Sequence, residues 1–188
     1  DVPVRGNIGL QYVSTDQSST GSASRRLWDE APAGVDGRTL DVQPTSGGDD
    51  YTELLPSLNL IFDVADDQVI RLGLARTMSR SRMDRMNAST GELSYNEQAN
   101  IWNGGVANPG LRPIKSNQFD ITYENYFHEE GYFATAFFFK QLIDWQLQVP
   151  SIVDTSDLTP PDGQPVAPLG VLSSWENLGD GQVRGVEF

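Results

Sequence analysis

The chain has 188 residues, with 26 acidic against 13 basic side chains and a formal charge of −13. That balance speaks against a nucleic-acid binder, which needs a basic stripe to displace phosphate counterions. With no cysteine and one histidine, His128, the sequence also excludes disulfide staples, thiolate zinc sites and any multi-histidine metal site.

Six stretches alternate with a period of two, the pattern of strands with one apolar face. In the first, Val4, Gly6, Ile8, Leu10 and Tyr12 share a face opposite Arg5, Asn7, Gly9 and Gln11. In the second, Leu54, Leu58, Leu60 and Phe62 oppose Ser57, Asn59 and Asp63. The third sets Ile70, Leu72, Leu74 and Met78 against Arg71, Gly73, Ala75 and Thr77. The fourth sets Phe119, Ile121 and Tyr123 against Gln118, Asp120, Thr122 and Glu124. The fifth places Phe133, Phe137, Phe139 and Ile143 opposite Ala134, Ala136, Lys140 and Asp144. The sixth, Gln182 to Phe188, is too short for its facing to be read.

The connections alternate in length. Ala65-Asp66-Asp67 and His128-Glu129-Glu130-Gly131 are tight polar turns. The others run from about Asp16 to Tyr51, Arg80 to Ser116 and Gln148 to Asp180, far beyond the ~2–5 residues of ordinary hairpin loops. In a meander, every second connection leaves from the same edge, so all the long excursions crowd one rim. Outer-membrane barrels have that asymmetry, and their alternating strands keep mean hydropathy low. The longest apolar run, about Phe133 to Phe139, is far short of the ~20 residues of a spanning helix. The expected fold is therefore all-β: an antiparallel up-and-down meander forming part of a transmembrane β-barrel, with short periplasmic turns and long extracellular loops. Arg76 shares the parity of Ile70, Leu72 and Leu74, so it either snorkels at the rim or follows a bulge. Pro56 costs a ladder hydrogen bond and belongs above the bilayer.

Several motifs carry a family resemblance. They are Tyr51-Thr52-Glu53-Leu54-Leu55-Pro56-Ser57-Leu58-Asn59-Leu60, the hairpin that ends Arg76-Thr77-Met78-Ser79-Arg80, and Asn108-Pro109-Gly110-Leu111-Arg112-Pro113 leading into Phe119. With Gly131 to Lys140 and the closing Gly181 to Phe188, they resemble the C-terminal part of the barrel of a TonB-dependent receptor. The match covers about Tyr51 to Phe188, and the first strand only generically. The resemblance implies that residues 1–188 are a barrel segment of about six strands, with the plug domain and TonB box lying outside it. Both ends, Asp1-Val2-Pro3 and Phe188, read as cut.

The implied function is TonB-energised uptake of a scarce nutrient in the outer membrane of a Gram-negative bacterium. Carbohydrate is favoured over iron-siderophore or cobalamin. The implied partners are outer-membrane lipid, the TonB complex and a small nutrient ligand, with no nucleic acid. An isolated segment is expected to self-associate through its open strand edges. Trp28, Trp102 and Trp175 fall one in each long connection. They could stack on sugar faces, or could anchor the loops against one another. The acidic loops could hold Ca²⁺, although a solvated face explains them as well, and no metal or cofactor is expected. Inward Arg5, Arg71, Lys140, Asp120, Glu124 and Asp144 are expected to pair as ions. His128 reads as a solvated turn residue. No catalytic residue stands out and no enzyme is expected. The alternative from another class is a soluble, secreted lectin-like β-sandwich.

Overall fold

The computed structural model describes residues 2–27, 39–91, 93–128, 131–158, 160 and 164–188. Among them are eight strands: β1 (Val4–Leu27), β2 (Thr39–Ala65), β3 (Gln68–Ser79), β4 (Ser94–Asn96), β5 (Ile101–Val106), β6 (Ile114–His128), β7 (Gly131–Asp154) and β8 (Leu169–Glu187). A single short 3-10 turn, Met83–Arg85, joins them. All eight belong to one sheet, in the order β1-β2-β3-β6-β7-β8-β5-β4. The sheet curls into half a barrel.

The register puts the six alternating stretches side by side. Ile8, Leu58, Leu74, Phe119 and Phe139 form one rung across five strands. The next rung joins Leu60, Leu72, Ile121, Phe137 and Val186. Val186 settles the facing of the last strand: Gln182, Arg184 and Val186 point outward, Val183 and Gly185 inward. Apart from Arg184, which lies opposite Phe139 at the end of the first rung, the outer face within these rungs is apolar, and it is uncovered, with Ile8 84 % and Leu10 68 % exposed. The buried apolar residues of the described chain are Tyr51, Ala88, Trp102, Leu111, Leu158 and Ala167, and none of them lies in these rungs. A soluble sandwich would bury its aliphatic rows against a second sheet. Here they have nothing beneath them, which is what a wall against hydrocarbon requires.

The rung above the apolar band is polar. Arg76, Asn117, Gln141 and Gln182 align across β3, β6, β7 and β8 on the outward parity. Arg76 Nε donates to Asn117 Oδ1 at 2.8 Å, and Asn117 Nδ2 to Gln141 Oε1 at 3.3 Å. The β3–β6 ladder runs unbroken from Gln68 to Ser79, so no bulge turns Arg76 inward. Of the two alternatives, the rim position is the correct one.

The opposite face carries the charges and amides. Arg71 makes a two-pronged contact with Glu124 at 2.8 and 3.1 Å, and Arg5 lies 3.2 Å from Asp63. Asn59 Nδ2 donates to Asn7 Oδ1 at 2.9 Å. These contacts stand on a wet surface, with Arg5 64 % and Arg71 45 % exposed, so each is solvent-screened.

Both tight turns lie at one end, and the three long connections leave from the other. Two of those connections are mostly ladder rather than loop. β1 and β2 stay paired up to Leu27↔Thr39, and β7 and β8 up to Asp154↔Leu169. Above the apolar band both faces are wet, so hydropathy no longer marks the strands, while the backbone still satisfies its hydrogen bonds by pairing. Two further features depart from a simple antiparallel meander. β5 runs parallel to β8 from Trp102↔Gly170 to Val106↔Ser174. β7 breaks register between Leu142 and Trp145, and Asp144 takes φ 59°, a left-handed conformation rare outside glycine.

Candidate functional site

The rim with the long hairpins is where a ligand would be met, and one short segment organises it. Residues 108–113, Asn-Pro-Gly-Leu-Arg-Pro, lead into β6 and are clamped by side chains from three strands. Gln17 of β1 donates to the carbonyls of Pro109 and Leu111 at 2.9 and 2.8 Å. Asn177 of β8 accepts from Arg112 N at 2.9 Å and donates to Arg112 O at 3.0 Å. Gln146 of β7 also donates to Arg112 O at 3.0 Å and contacts Ser81 Oγ. Asn108 closes the other end, accepting from Gly110 N and donating to Trp175 O, each at 2.9 Å. Leu111 is 1 % exposed and Pro113 is fully buried. Pro109 sits on Gly47, where a Cβ would come within 2.5 Å of its Cγ, so only glycine leaves room.

The same strap carries the main charge cluster. The Arg112 guanidinium donates to Asp49 at 2.7 Å. That hydrogen bond holds the Asp49 carboxyl below its ordinary range and raises Arg112 above its own. Lys115, at the foot of the strap, lies 3.1 Å from Glu53 and 2.8 Å from Asp144. Burial works against its charge, but the hydrogen bonds with Asp144 and Glu53 outweigh it and leave Lys115 raised. Asp144 reaches Lys115 from its left-handed bulge, while its carbonyl accepts from Asn177 Nδ2 at 3.0 Å.

The tryptophans take separate positions. Trp28 lies outside the described residues. Trp102 of β5 is 2 % exposed and packs with Leu158, Ala167, Leu93 and Tyr95. The Tyr95 ring centroid is 5.2 Å away. Thr155 supports this small core by donating its hydroxyl to Ala167 O at 2.8 Å. Gly170 lets β8 pass close, because a Cβ there would meet Trp102 Cβ and O at 3.1 Å. Trp102 is thus packed in a small core beneath its loop and is not displayed at the rim. Trp175 is half-buried, with the Arg85 guanidinium 3.7 Å over its ring. Trp102 pairs with Gly170, five residues before Trp175 on β8, so the structure does not gather the two rings at one place. The described residues contain no group of three or more acidic or histidine side chains able to hold a metal ion.

Gln17, Gln146 and Asn177 carry the rim's architecture and were invisible in the sequence. Isolated amides in polar stretches give no spacing signal, and only the tertiary path of residues 108–113 shows what they hold.

Comparisons with known proteins agree with this geometry. The family model described as TonB dependent receptor-like, beta-barrel, matches residues 1–188. No curated protein sequence matches the chain. Among solved structures, the hemophore receptor HasR of Serratia marcescens, in complex with its hemophore HasA and heme, aligns over 98% of this chain and 28% of its own. The TM-score is 0.54 and the identity 13%. The ferric enterobactin receptor PfeA of Pseudomonas aeruginosa, in complex with enterobactin, aligns over 78% of this chain and 21% of its own. There the TM-score is 0.57 and the identity 20%. PfeA in complex with BCV-L6 aligns over 98% of this chain and 33% of its own, with a TM-score of 0.58 and 16% identity. The chain thus spans a fifth to a third of the structures it resembles, and at these identities the likeness is one of fold.

Proposed function

The chain belongs to the TonB-dependent receptor family, as a stretch of its β-barrel, and from that premise we propose that it forms wall and outer rim of a nutrient importer. The whole protein is placed in the outer membrane of a Gram-negative bacterium. It captures a scarce small molecule at the rim and moves it inward with energy from the TonB complex, acting as a transporter and not as an enzyme. The observation that carries this reading is the pairing of an uncovered apolar outer face with long hairpins all rising from one end.

For the nutrient we favour a carbohydrate. Of the described rim cations, Arg82, Arg112 and Lys115 are each paired with a carboxylate, Arg85 lies over the Trp175 ring, and the outward-facing Arg76 bonds Asn117. A multiply charged ferric chelate would need such cations free, whereas a neutral, hydroxyl-rich ligand would not. Trp28, in the connection between β1 and β2, and Trp175 supply the rings for stacking on a sugar. The rival is an iron chelate or heme, supported by what the fold neighbours hold. Calorimetry on the full-length receptor, titrated with oligosaccharides, ferric siderophores and heme, tests the choice. Binding of an oligosaccharide that weakens in Trp28→Ala and Trp175→Ala is the expected result. Saturable binding of only a siderophore or heme overturns the carbohydrate assignment.

A further inference from the structure

The β2–β3 ladder stops at Ser57↔Ala75, next to Pro56, which has no N–H to donate. Both neighbouring ladders continue: β1–β2 through Leu10↔Pro56 and Tyr12↔Leu54, and β3–β6 through Arg76↔Asn117. The wall therefore splits between β2 and β3 at the upper margin of the apolar band. A hollow of about 640 Å³ opens there, lined by Ile8, Leu10, Leu54, Leu58 and Leu74 from the outward face. Arg76 stands on its rim. A second hollow of about 470 Å³ shares Gly9, Leu10, Ser57, Ala75 and Arg76 and reaches Leu55 and Thr77 on the inward face.

We propose that the split at Pro56 is a lipid-binding site, in which an acyl chain of a phosphate-bearing outer-leaflet lipid lies against Ile8, Leu58 and Leu74 while its headgroup phosphate meets Arg76. Three observations choose this occupant. The lining is mostly apolar, with Ser57, Asn117 and Gln118 its polar members beside Arg76, and its aliphatic side chains lie on the face turned to hydrocarbon, so a chain already at hand fills it without leaving an apolar phase. The volume falls in the range of small-molecule sites. Arg76 has no carboxylate partner among the described residues; Asn117 fixes its Nε and leaves the rest of the guanidinium for an anion at headgroup height.

The proposal rests on the membrane reading above, and its test separates the two. The full-length receptor is inserted into phosphatidylcholine nanodiscs and titrated with diphosphoryl lipid A or its dephosphorylated form, with bound lipid counted by native mass spectrometry. The receptor should retain one diphosphoryl lipid A and hold the dephosphorylated form about tenfold more weakly, the loss of one charge-assisted contact. Arg76→Gln should bring the two lipids level. Leu58→Trp, which fills the hollow, should abolish retention of both, and Phe137→Trp, elsewhere on the same face, should change nothing. Equal retention of both lipids by the unmodified receptor overturns the proposal without reference to any variant. An inserted receptor that holds no lipid A refutes the cleft alone, and one that fails to insert refutes the membrane reading as well.

Discussion

Leu111→Ala tests whether the strap of residues 108–113 holds the rim as one unit. The side chain is 1 % exposed, so truncation removes three carbons from a closed environment. At about 0.8 kcal/mol per carbon the transfer loss is about 2.4 kcal/mol. The cavity left behind raises it to about 3–4 kcal/mol. The strap is joined to the barrel only at its upper end, so the cost falls on local opening of the rim and leaves the ladder below intact. Hydrogen–deuterium exchange on the full-length receptor reads this directly. Amides of residues 108–113 and of the upper β7–β8 hairpin should exchange on the order of a hundredfold faster, as each 1.4 kcal/mol is tenfold. Amides of Leu58–Phe62 and Ile70–Leu74 should not change. Uniform acceleration through the barrel would refute the idea of a separately stabilised rim, and no acceleration anywhere would refute the packing of Leu111.

Leu72→Arg places a charge in the middle of the outward band and should cost about 2–4 kcal/mol in equilibrium folding into lipid vesicles. Thr122→Arg, on the inward parity of the neighbouring strand, should cost much less, and equal penalties would contradict the assigned facing. The Asp49–Arg112 contact should weaken on acidification. Asp49 is lowered from 3.8 in the folded protein, so its contribution is complete above the unfolded value and is lost as pH falls through the lower folded one. Exchange at the strap should therefore quicken below about pH 4, and Asp49→Asn should erase that dependence. Gly47→Val puts a Cβ against Pro109 and should loosen the rim by about 1–3 kcal/mol, visible as faster proteolysis of the β1–β2 hairpin. A double-mutant cycle on Arg71 and Glu124 should return no more than about 1 kcal/mol, because Arg71 is 45 % exposed.

The staves were legible in the sequence because hydrocarbon on one side and water on the other impose a period of two. Val4 to Tyr12, Ile70 to Leu74 and Phe119 to Tyr123 fall in the expected rungs. Even the awkward parity of Arg76 was real, and only its partner Asn117 was missing. Legibility fails where that contrast ends. From Asp16 to Ser24 both faces are polar, so Ser, Thr and Gly alternate with one another and a paired strand reads as loop. The parallel pairing of β5 with β8 joins residues nearly seventy apart in sequence, and no local pattern encodes it. Trp102 and Trp175 stood out as aromatic residues in polar surroundings, but composition could not tell a ring packed in a core from one left half-exposed under a guanidinium. The bulge at Asp144 broke an alternation that seemed to run smoothly through Ile143, since it is set by contacts with Asn177 and Lys115 and not by its neighbours in the chain.

The uncovered outer rungs divide the molecule into two regimes of mutational tolerance. Fluid acyl chains close around whatever shape they meet, so exchanging Ile8 for valine or Leu72 for isoleucine leaves no void. Those staves can drift widely so long as they stay greasy. Leu111, Trp102 and Gly47 face solid neighbours that cannot flow, and each fits its seat in one way. Substitutions should therefore be absorbed along the wall and punished at the rim, which reverses the usual expectation that a protein's middle is rigid and its edges free.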